Sequence, residues 1–460
     1  MRQFLFRPLA SGGPFVCVIS AALLVSSALP SRAASAATVH VMNCNDSGVG
    51  SLRGSIASAQ SGDTIDARHL SCHLIRLTGG EIRIAQHDMT IIGPGSRLLT
   101  VDADRAGRAF LHDAPSASDN LGTLVIKQMT VANGGYAGAT GSGGCVASNS
   151  NLELQGVDVH GCFGGSGGGV FADYGLRLLN SNIFDNVADG VGGGAAAFDM
   201  IVYRSRIYGN HASRWGGGAT AQDMMTLSYS TVDGNRSQSE GGGVYAEGRL
   251  VVNKSTVSNN AVTVSDYGRP GGGVWGRAIY VIDSTVSGNE AFYGSAIWAM
   301  DSLQIANSTI AFNRETGSES LGAVVVYHFT GLAALPGAQA GVPAYNISSS
   351  IVADNLWRGN PGYAFEPDSI FFVHGYNNIF QQSPIPVPPD TMTLDPLLAP
   401  LADNGGPTMT HALLNGSPAI DRGNNLRHRH YDQRGPGFAR VQGSAPDIGA
   451  FELCPADTRN

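Results

Sequence analysis

The chain has 460 residues, 62 of them glycine, and its 28 basic and 36 acidic side chains give a net charge of −8 at pH 7. This acidic balance argues against a nucleic-acid partner. Binding of a polyanion would need a local basic groove or a metal ion to offset the negative field.

Residues 1–36 are typical of a cleaved secretory signal. Arg2 and Arg7 supply positive charge, an apolar run extends over residues 15–29, and residues 34–36 form a small-residue cleavage site. The apolar run is shorter than the roughly 20 residues of a membrane helix, and no later stretch reaches that length. We therefore expect a secreted or cell-surface protein without a transmembrane segment.

Five cysteines follow this signal, and export places them in an oxidising compartment where disulfides persist. We expect Cys44 to pair with Cys72 and Cys145 with Cys162, each closing a loop worth about 3 kcal/mol in a loop-entropy model. Cys454 is then left single, and we interpret it as an unpaired thiol in the tail. The cysteine and histidine spacing does not suggest zinc. We expect no cofactor, with a structural or catalytic calcium ion as the alternative.

A short helix is predicted near the start of the mature chain. Leu52, Ile56 and Ala59 share one helical face, and Ser51 is a candidate N-cap. Such a helix would close the open end of a stacked fold, where an exposed apolar interior and free strand edges invite aggregation. We assign residues 37–120 to this N-terminal cap and the first coils.

The glycines recur at a fixed interval, which indicates a repeat protein rather than a disordered chain. Each glycine triplet is followed by two short apolar alternations and then by an asparagine. The triplets begin at residues 167, 192, 216, 241 and 271, and the asparagines lie at 186, 210, 235, 260, 289, 313 and 355. Each unit of about 24 residues therefore predicts three short strands separated by turn formers.

Such a unit cannot bury its apolar face alone, so we predict an all-β fold, a single-stranded right-handed parallel β-helix with repeats over residues 121–380. Coils about 4.8 Å apart would place like residues on like, with Ile183, Ile207, Val232 and Val257 in one interior column. The recurring asparagine is interpreted as a left-handed corner residue whose amide bonds the asparagines above and below.

An outward aromatic stripe is predicted on the strand after each glycine triplet. Tyr245, Trp275 and Trp298 fall on adjacent rungs, and exposed aromatic rings suit the apolar faces of sugars. We therefore take these three residues as candidates for carbohydrate binding. The alternative is that a long loop folds over the rings and buries them.

Beside this stripe, Glu247 and Arg277 occupy equivalent turns one coil apart and are the weak catalytic candidates. They could supply a base and a charge clamp for β-elimination, or a carboxylate for glycoside hydrolysis. Solvated surface charge explains the same residues without chemistry. Four further charged residues come from nearby insertions, namely Asp266, Arg269, Glu315 and Glu319.

Residues 381–460 form a Pro-rich linker and a turn-rich tail, which we interpret as the C-terminal cap. The tail resembles the choice-of-anchor Q domain of bacterial surface and secreted β-helix proteins. The segments that carry this resemblance are Asp403–Thr408, Gly416–Asp421, Asp432–Gly435 and Asp447–Glu452. The glycine repeats are similar to those of polymorphic outer-membrane proteins and pectin-lyase-like folds. The resemblance implies this fold and export, but it does not imply a reaction.

Three functions remain open from the sequence. The first is a monomeric protein that binds extracellular or cell-surface polysaccharide along the aromatic stripe. The second is a secreted polysaccharide lyase or glycoside hydrolase acting on a uronate-type polymer. The third is a purely structural or adhesive surface rod in which the stripe serves only packing.

Overall fold

The computed structural model describes residues 36–115, 121–135, 141–264, 270–317, 321–326, 345–357, 360–361, 377–381 and 387–454. Apart from its last residue, the predicted signal lies outside these ranges. The described residues form a right-handed parallel β-helix, as the repeat predicts. The described strands pair in parallel, except that Leu356–Trp357 pairs antiparallel with Asn360–Pro361.

The strands form three sheets that run along the stack. The first sheet contains Thr38–His40, Thr64–Asp66, Ile82–Ile84, Asp88–Ile92, Phe110–His112, Thr123–Lys127, Val146–Ser148, Asn151–Gln155, Val170–Leu179, Ala195–Tyr203, Ala219–Ala221, Met225–Ser228, Val244–Asn253, Val274–Ile282, Ile297–Ala306, Val324–Val326 and Tyr345–Ser348. The second contains Leu74–Arg76, Thr100–Asp102, Thr130–Ala132, Asp158–His160, Asn182–Phe184, Arg206–Tyr208, Thr231–Asp233, Thr256–Ser258, Thr285–Ser287, Thr309–Ala311, Ile351–Ala353 and Ile379–Phe380. The third contains Phe163–Gly164, Val187–Ala188, His211–Ala212, Arg236–Ser237, Ala261–Val262, Glu290–Ala291, Arg314–Glu315, Leu356–Trp357 and Asn360–Pro361.

The predicted interior column is confirmed in the second sheet. Ile183 lies opposite Ile207, which lies opposite Val232 and then Val257. All four side chains are fully buried. Because strand residues alternate between the two faces, the flanking residues of each three-residue strand point outward.

The asparagine ladder is also present, with one correction. In each pair the amide nitrogen donates to the side-chain oxygen of the next asparagine, as from Asn210 to Asn235 at 3.0 Å. The same bond links Asn235 to Asn260 at 2.9 Å. The left-handed residue, however, is the one before each of these asparagines, such as Gly209 or Gly234. The expected left-handed corner is therefore wrong by one residue, because the buried asparagine turns its side chain inward to reach its neighbours.

Both predicted disulfides are present, Cys44 to Cys72 and Cys145 to Cys162. The backbone N–H of Cys162 donates to the side-chain oxygen of Asn186, so this cysteine takes the first position of the asparagine ladder. Among the described cysteines only Cys454 is free.

The predicted helix spans Leu52–Ser58 and lies at the N-terminal end of the stack. The hydroxyl oxygen of Ser51 accepts from the backbone N–H of Gly54 at 3.0 Å and caps the helix. Leu52 and Ile56 are buried in the main core. The helix therefore covers the first coils with the face that the sequence predicts.

The described part of the C-terminal segment packs along the outer face of the second sheet. Gln433 Nε2 donates to the hydroxyl of Thr256, and the hydroxyl of Thr285 donates to Gln433 Oε1. His411 Nε2 lies 2.8 Å from the hydroxyl of Ser287. The outward hydroxyls of successive coils thus hold the tail, and the second sheet is covered in its later coils.

Candidate functional site

The predicted aromatic stripe is aligned but covered. Tyr245 lies opposite Trp275, which lies opposite Trp298. The rings of Tyr245 and Trp275 stack with centroids 4.2 Å apart. The exposed fractions of the three residues are only 7%, 9% and 8%, so they do not form the open platform that a sugar ring would need.

Side chains from the same and from neighbouring coils cover these three residues, which we call the covered stack. Trp215 stacks on Tyr245 with ring centroids 5.3 Å apart. Tyr293, Met300 and Leu321 also pack against the cluster. The covered stack is therefore a satellite apolar core. The rings are buried, as in the alternative interpretation of the stripe, but by individual side chains rather than by a long loop alone. Their role in carbohydrate binding stays a prediction.

Glu247 and Arg277 lie within adjacent strands at an irregularity of the pairing, not in turns as the sequence indicated, and each has another partner. The hydroxyl of Tyr245 donates to Glu247 Oε2 at 2.5 Å, and Arg277 Nε donates to Asp301 Oδ2 at 2.7 Å. The hydrogen bond to Asp301 raises the pKa of Arg277, with a smaller contribution from Glu247. Burial, followed by the bond to Glu247, raises the pKa of Tyr245. The three charged side chains thus form a polar border beside the covered stack.

The insertion residues add little to this border. Glu315 is buried, and its carboxylate accepts the backbone N–H groups of Gly294 and Gly322, at 2.9 and 3.2 Å. Those bonds hold two loops together. Asp266, Arg269 and Glu319 lie outside the described residues.

A second aromatic row lies on the outer face of the second sheet. His160 lies opposite Phe184, and Phe184 lies opposite Tyr208. The ring centroids are 4.8 and 4.9 Å apart. All three residues are half-buried, unlike the covered stack. We call His160, Phe184 and Tyr208 the outer aromatic row. The sequence carried a signal for it, three aromatic rings at 24-residue spacing, which a search restricted to the strand after each glycine triplet does not find.

Next to this row, the edge of the C-terminal segment and the second sheet enclose a cleft of about 460 Å³. We call it the cap cleft. Its lining residues are Asn180, Asn182, Arg204, Ser205, Arg206, Tyr229, Thr231, Gly406, Pro407, Arg434 and Pro436. Asn182 and Arg206 belong to the same strands as Phe184 and Tyr208, two residues earlier. The cleft and the row therefore adjoin on one face.

The three arginines of the cap cleft differ in their partners. Arg434 is buried, pairs with Asp432 at 2.7 Å, and lies between the rings of Phe438 and Phe451. Arg204 and Arg206 are exposed and have no ion-pair partner within the described ranges. Two free positive charges therefore face one cleft of an otherwise acidic chain.

The described residues contain no group of three or more His, Cys, Asp or Glu side chains placed to hold a metal ion. The calcium alternative stays a prediction. Within the same ranges, no helix has the length and apolar character needed to cross a bilayer.

The comparisons with known proteins found few matches. No family model and no curated protein matches the chain. A solved structure described as the crystal structure of pectate lyase Pel9A matches 91% of this chain and 97% of that chain, at 14% identity and a TM-score of 0.49. That likeness is too weak to support a functional argument, so the fold assignment rests on the strand pairing. The resemblance of the tail to the choice-of-anchor Q domain stays a prediction.

Proposed function

We propose that the protein is an extracellular β-helix that binds polysaccharide on the outer aromatic row and in the adjoining cap cleft. The observation that carries the proposal is the half-buried row of His160, Phe184 and Tyr208 beside an open cleft. Binding sites are concave, with apolar surface and a few polar groups that fix orientation. The row supplies the apolar surface, and the cleft supplies amides, hydroxyls and guanidinium groups.

The position of the tail supports this choice. Asp233, Ser258 and Ser287 continue the column of Tyr208 in the next coils, and at Ser287 the tail already covers the sheet. In the coils of Phe184 and Tyr208 the tail lies beside the first strand residues, Asn182 and Arg206, where it lines the cleft. The rings themselves are only half-buried. An apolar row at the uncovered part of a face is the kind of patch that marks a binding surface.

The experiment is a binding titration of the mature protein against neutral, uronate and sulfated polysaccharides. The variant is Phe184→Ala with Tyr208→Ala, since Ala132 and Ala311 occupy the same column and alanine fits that position. We expect the affinity for bound polymers to fall about tenfold, which corresponds to about 1.4 kcal/mol. Failure of the native protein to bind any polymer would refute the proposal.

A change of the covered stack supplies the contrast. Trp275→Phe keeps an aromatic ring in the cluster, and we expect it to leave polysaccharide affinity unchanged. Loss of binding in this variant, with the Phe184 and Tyr208 double variant unaffected, would move the site to the first sheet and support the original prediction for Tyr245, Trp275 and Trp298.

The lyase or hydrolase alternative has one observation in its favour. The exposed carboxylate of Glu247 lies one coil from the ion pair of Arg277 and Asp301. In β-elimination from a uronate, such a carboxylate could act as the base, and the arginine could stabilise the negative charge of the substrate. Incubation with uronate polymers, monitored by ultraviolet absorbance of unsaturated products and by reducing ends, tests this. A rate that persists in Glu247→Gln would exclude Glu247 as the base.

A further inference from the structure

Within the proposed polysaccharide-binding function, we propose that the cap cleft selects acidic sugars, with Arg204 and Arg206 binding a carboxylate or sulfate group. The inference rests on that function and names its substrate class. Arginine keeps its charge at all physiological pH values, and its planar guanidinium suits a carboxylate or sulfate in a bidentate arrangement.

The backbone fixes both arginines on the same edge of the cleft. Arg204 has a positive φ of 46° at the turn before the second-sheet strand, and Arg206 is the first residue of that strand. Ser205 between them is buried, and its hydroxyl donates to the backbone oxygen of Tyr203 and accepts from the backbone N–H of Ser181. Arg204 and Arg206 are both exposed and line the cleft.

Aromatic rings hold both guanidinium groups in place. Arg204 Cζ lies 5.6 Å from the ring centroid of Tyr203 and 5.9 Å from that of Tyr229. Arg206 Cζ lies 4.9 Å from the ring centroid of Tyr208. A guanidinium ordered over a ring loses less conformational freedom when it binds an anion.

The acidic residues nearby do not neutralise the pair. Asp158 Oδ1 accepts from Asn182 Nδ2 at 2.7 Å, and Asp185 is exposed near Tyr208. Neither forms an ion pair with Arg206 within 4.0 Å. An anionic substituent would thus meet two available positive charges, the local basic site that an acidic protein needs to bind a polyanion.

Other coils supply substitutions that fit the backbone. Asn180 and Asn307 take the turn position of Arg204 with φ of 49°, so Arg204→Asn suits that conformation. Thr231 lies opposite Arg206, so Arg206→Thr suits the strand. The control is Arg236→Ala on the third sheet, where Ala261 occupies the next coil. It removes one positive charge away from the cleft, whereas the double variant removes two.

The experiment compares each acidic polymer with its uncharged form: polygalacturonate with its methyl ester, and dextran sulfate with dextran. We expect the native protein to bind at least one acidic form about tenfold or more tightly than its uncharged form, and the pair that shows the preference identifies carboxylate or sulfate. The preference should fall to about one in the Arg204→Asn, Arg206→Thr double variant and persist in Arg236→Ala.

The outcomes separate the two proposals. Equal affinity of the native protein for acidic and uncharged forms, or a preference that persists in the double variant, overturns acid selection and leaves polysaccharide binding standing. If Arg236→Ala loses the preference to the same extent, the preference comes from the overall charge of the protein, and the inference is also overturned. Absence of binding to every polymer overturns both proposals.

Discussion

The rings of Phe184 and Tyr208 lie parallel, with 1° between their planes and 4.9 Å between their centroids. They belong to consecutive coils, so their separation is the spacing of hydrogen-bonded strands. Each outward residue of a coil therefore meets its counterpart, and a chemical feature repeated in the sequence becomes a continuous feature of the surface.

The first prediction is that these two rings stabilise each other. A double-mutant cycle with Phe184→Ala and Tyr208→Ala, measured by urea unfolding, should give a coupling energy of about 1 kcal/mol. The pair of His160 and Tyr208, which are two coils apart, should give a coupling close to zero. Equal coupling in both pairs would mean that the rings do not interact through direct stacking.

The second prediction concerns the covered stack. Trp275→Ala should lower the free energy of unfolding by about 3 to 5 kcal/mol, since it removes a large buried side chain from a packed cluster. Phe184→Ala, at a half-buried position, should cost much less. A Trp275→Ala protein of native stability would show that the rings of the covered stack are exposed in solution.

The third prediction addresses the asparagine ladder. Asn235→Ala should cost about 3 kcal/mol, because the amide of Asn210 and the carbonyl of Ile207 lose their buried partner. Asn259→Gly is the matched control, since Gly234 and Gly288 occupy the equivalent left-handed position. Unfolding midpoints distinguish the two, and a larger loss in the control would refute the assignment of the ladder to Asn235.

The fourth prediction concerns the charged side chains that hold the C-terminal tail against the β-helix. Asp283 is fully buried, with Oδ2 3.4 Å from Lys254 Nζ and 3.5 Å from Arg429 Nε. Lys254 also donates to the backbone oxygens of Tyr431 and Asp432. Asp283→Asn should cost about 3 to 5 kcal/mol, because two cations lose their buried counter-charge.

The control for this network is Asn307→Ser. Asn307 takes the same turn position one coil later, and Ser349 follows in the coil after that. We expect a change of about 1 kcal/mol or less. If Asp283→Asn has an equally small effect, the tail is held by its hydrogen bonds to threonine and serine rather than by these charges.

The repeat made the stack predictable, because regular spacing determines which residues meet. It placed Val232 between Ile207 and Val257, and it aligned Tyr245 with Trp275. Whether an outward ring is exposed depends instead on how neighbouring side chains pack, such as that of Tyr293, which lies opposite Pro270 of the preceding coil. The spacing aligns the backbones of these residues but does not determine which side chains cover a ring.

The cap cleft could not be predicted for a related reason. The tail has turn signals but no periodic pattern, so the sequence does not indicate which face it covers. Gln433 bonds to Thr256 and Thr285, contacts across more than 140 positions of the chain. In the sequence, Arg204 and Arg206 are only isolated charges. They line a cleft because the tail packs beside them and forms its second side.

The last prediction is that the contribution of Glu452 to stability decreases as pH rises from about 4.5 to about 7. Burial raises the pKa of this carboxyl from 4.5 to about 7, although Arg440 and the backbone N–H of Asp447 favour its ionised form. Between these values the folded protein keeps a proton that the unfolded chain has released. The contribution of Glu452 to the free energy of unfolding should therefore fall by about 3 kcal/mol across this window. His112, His211 and His411 act in the opposite direction, because burial lowers their pKa values and the folded protein then gains stability as pH rises. Urea unfolding at pH 5 and pH 7.5, compared between the native protein and Glu452→Gln, isolates this contribution. Between the two pH values, the native protein should lose more stability, or gain less, than the variant. The same pH dependence in both proteins would show that Glu452 is ionised in the folded state throughout this range.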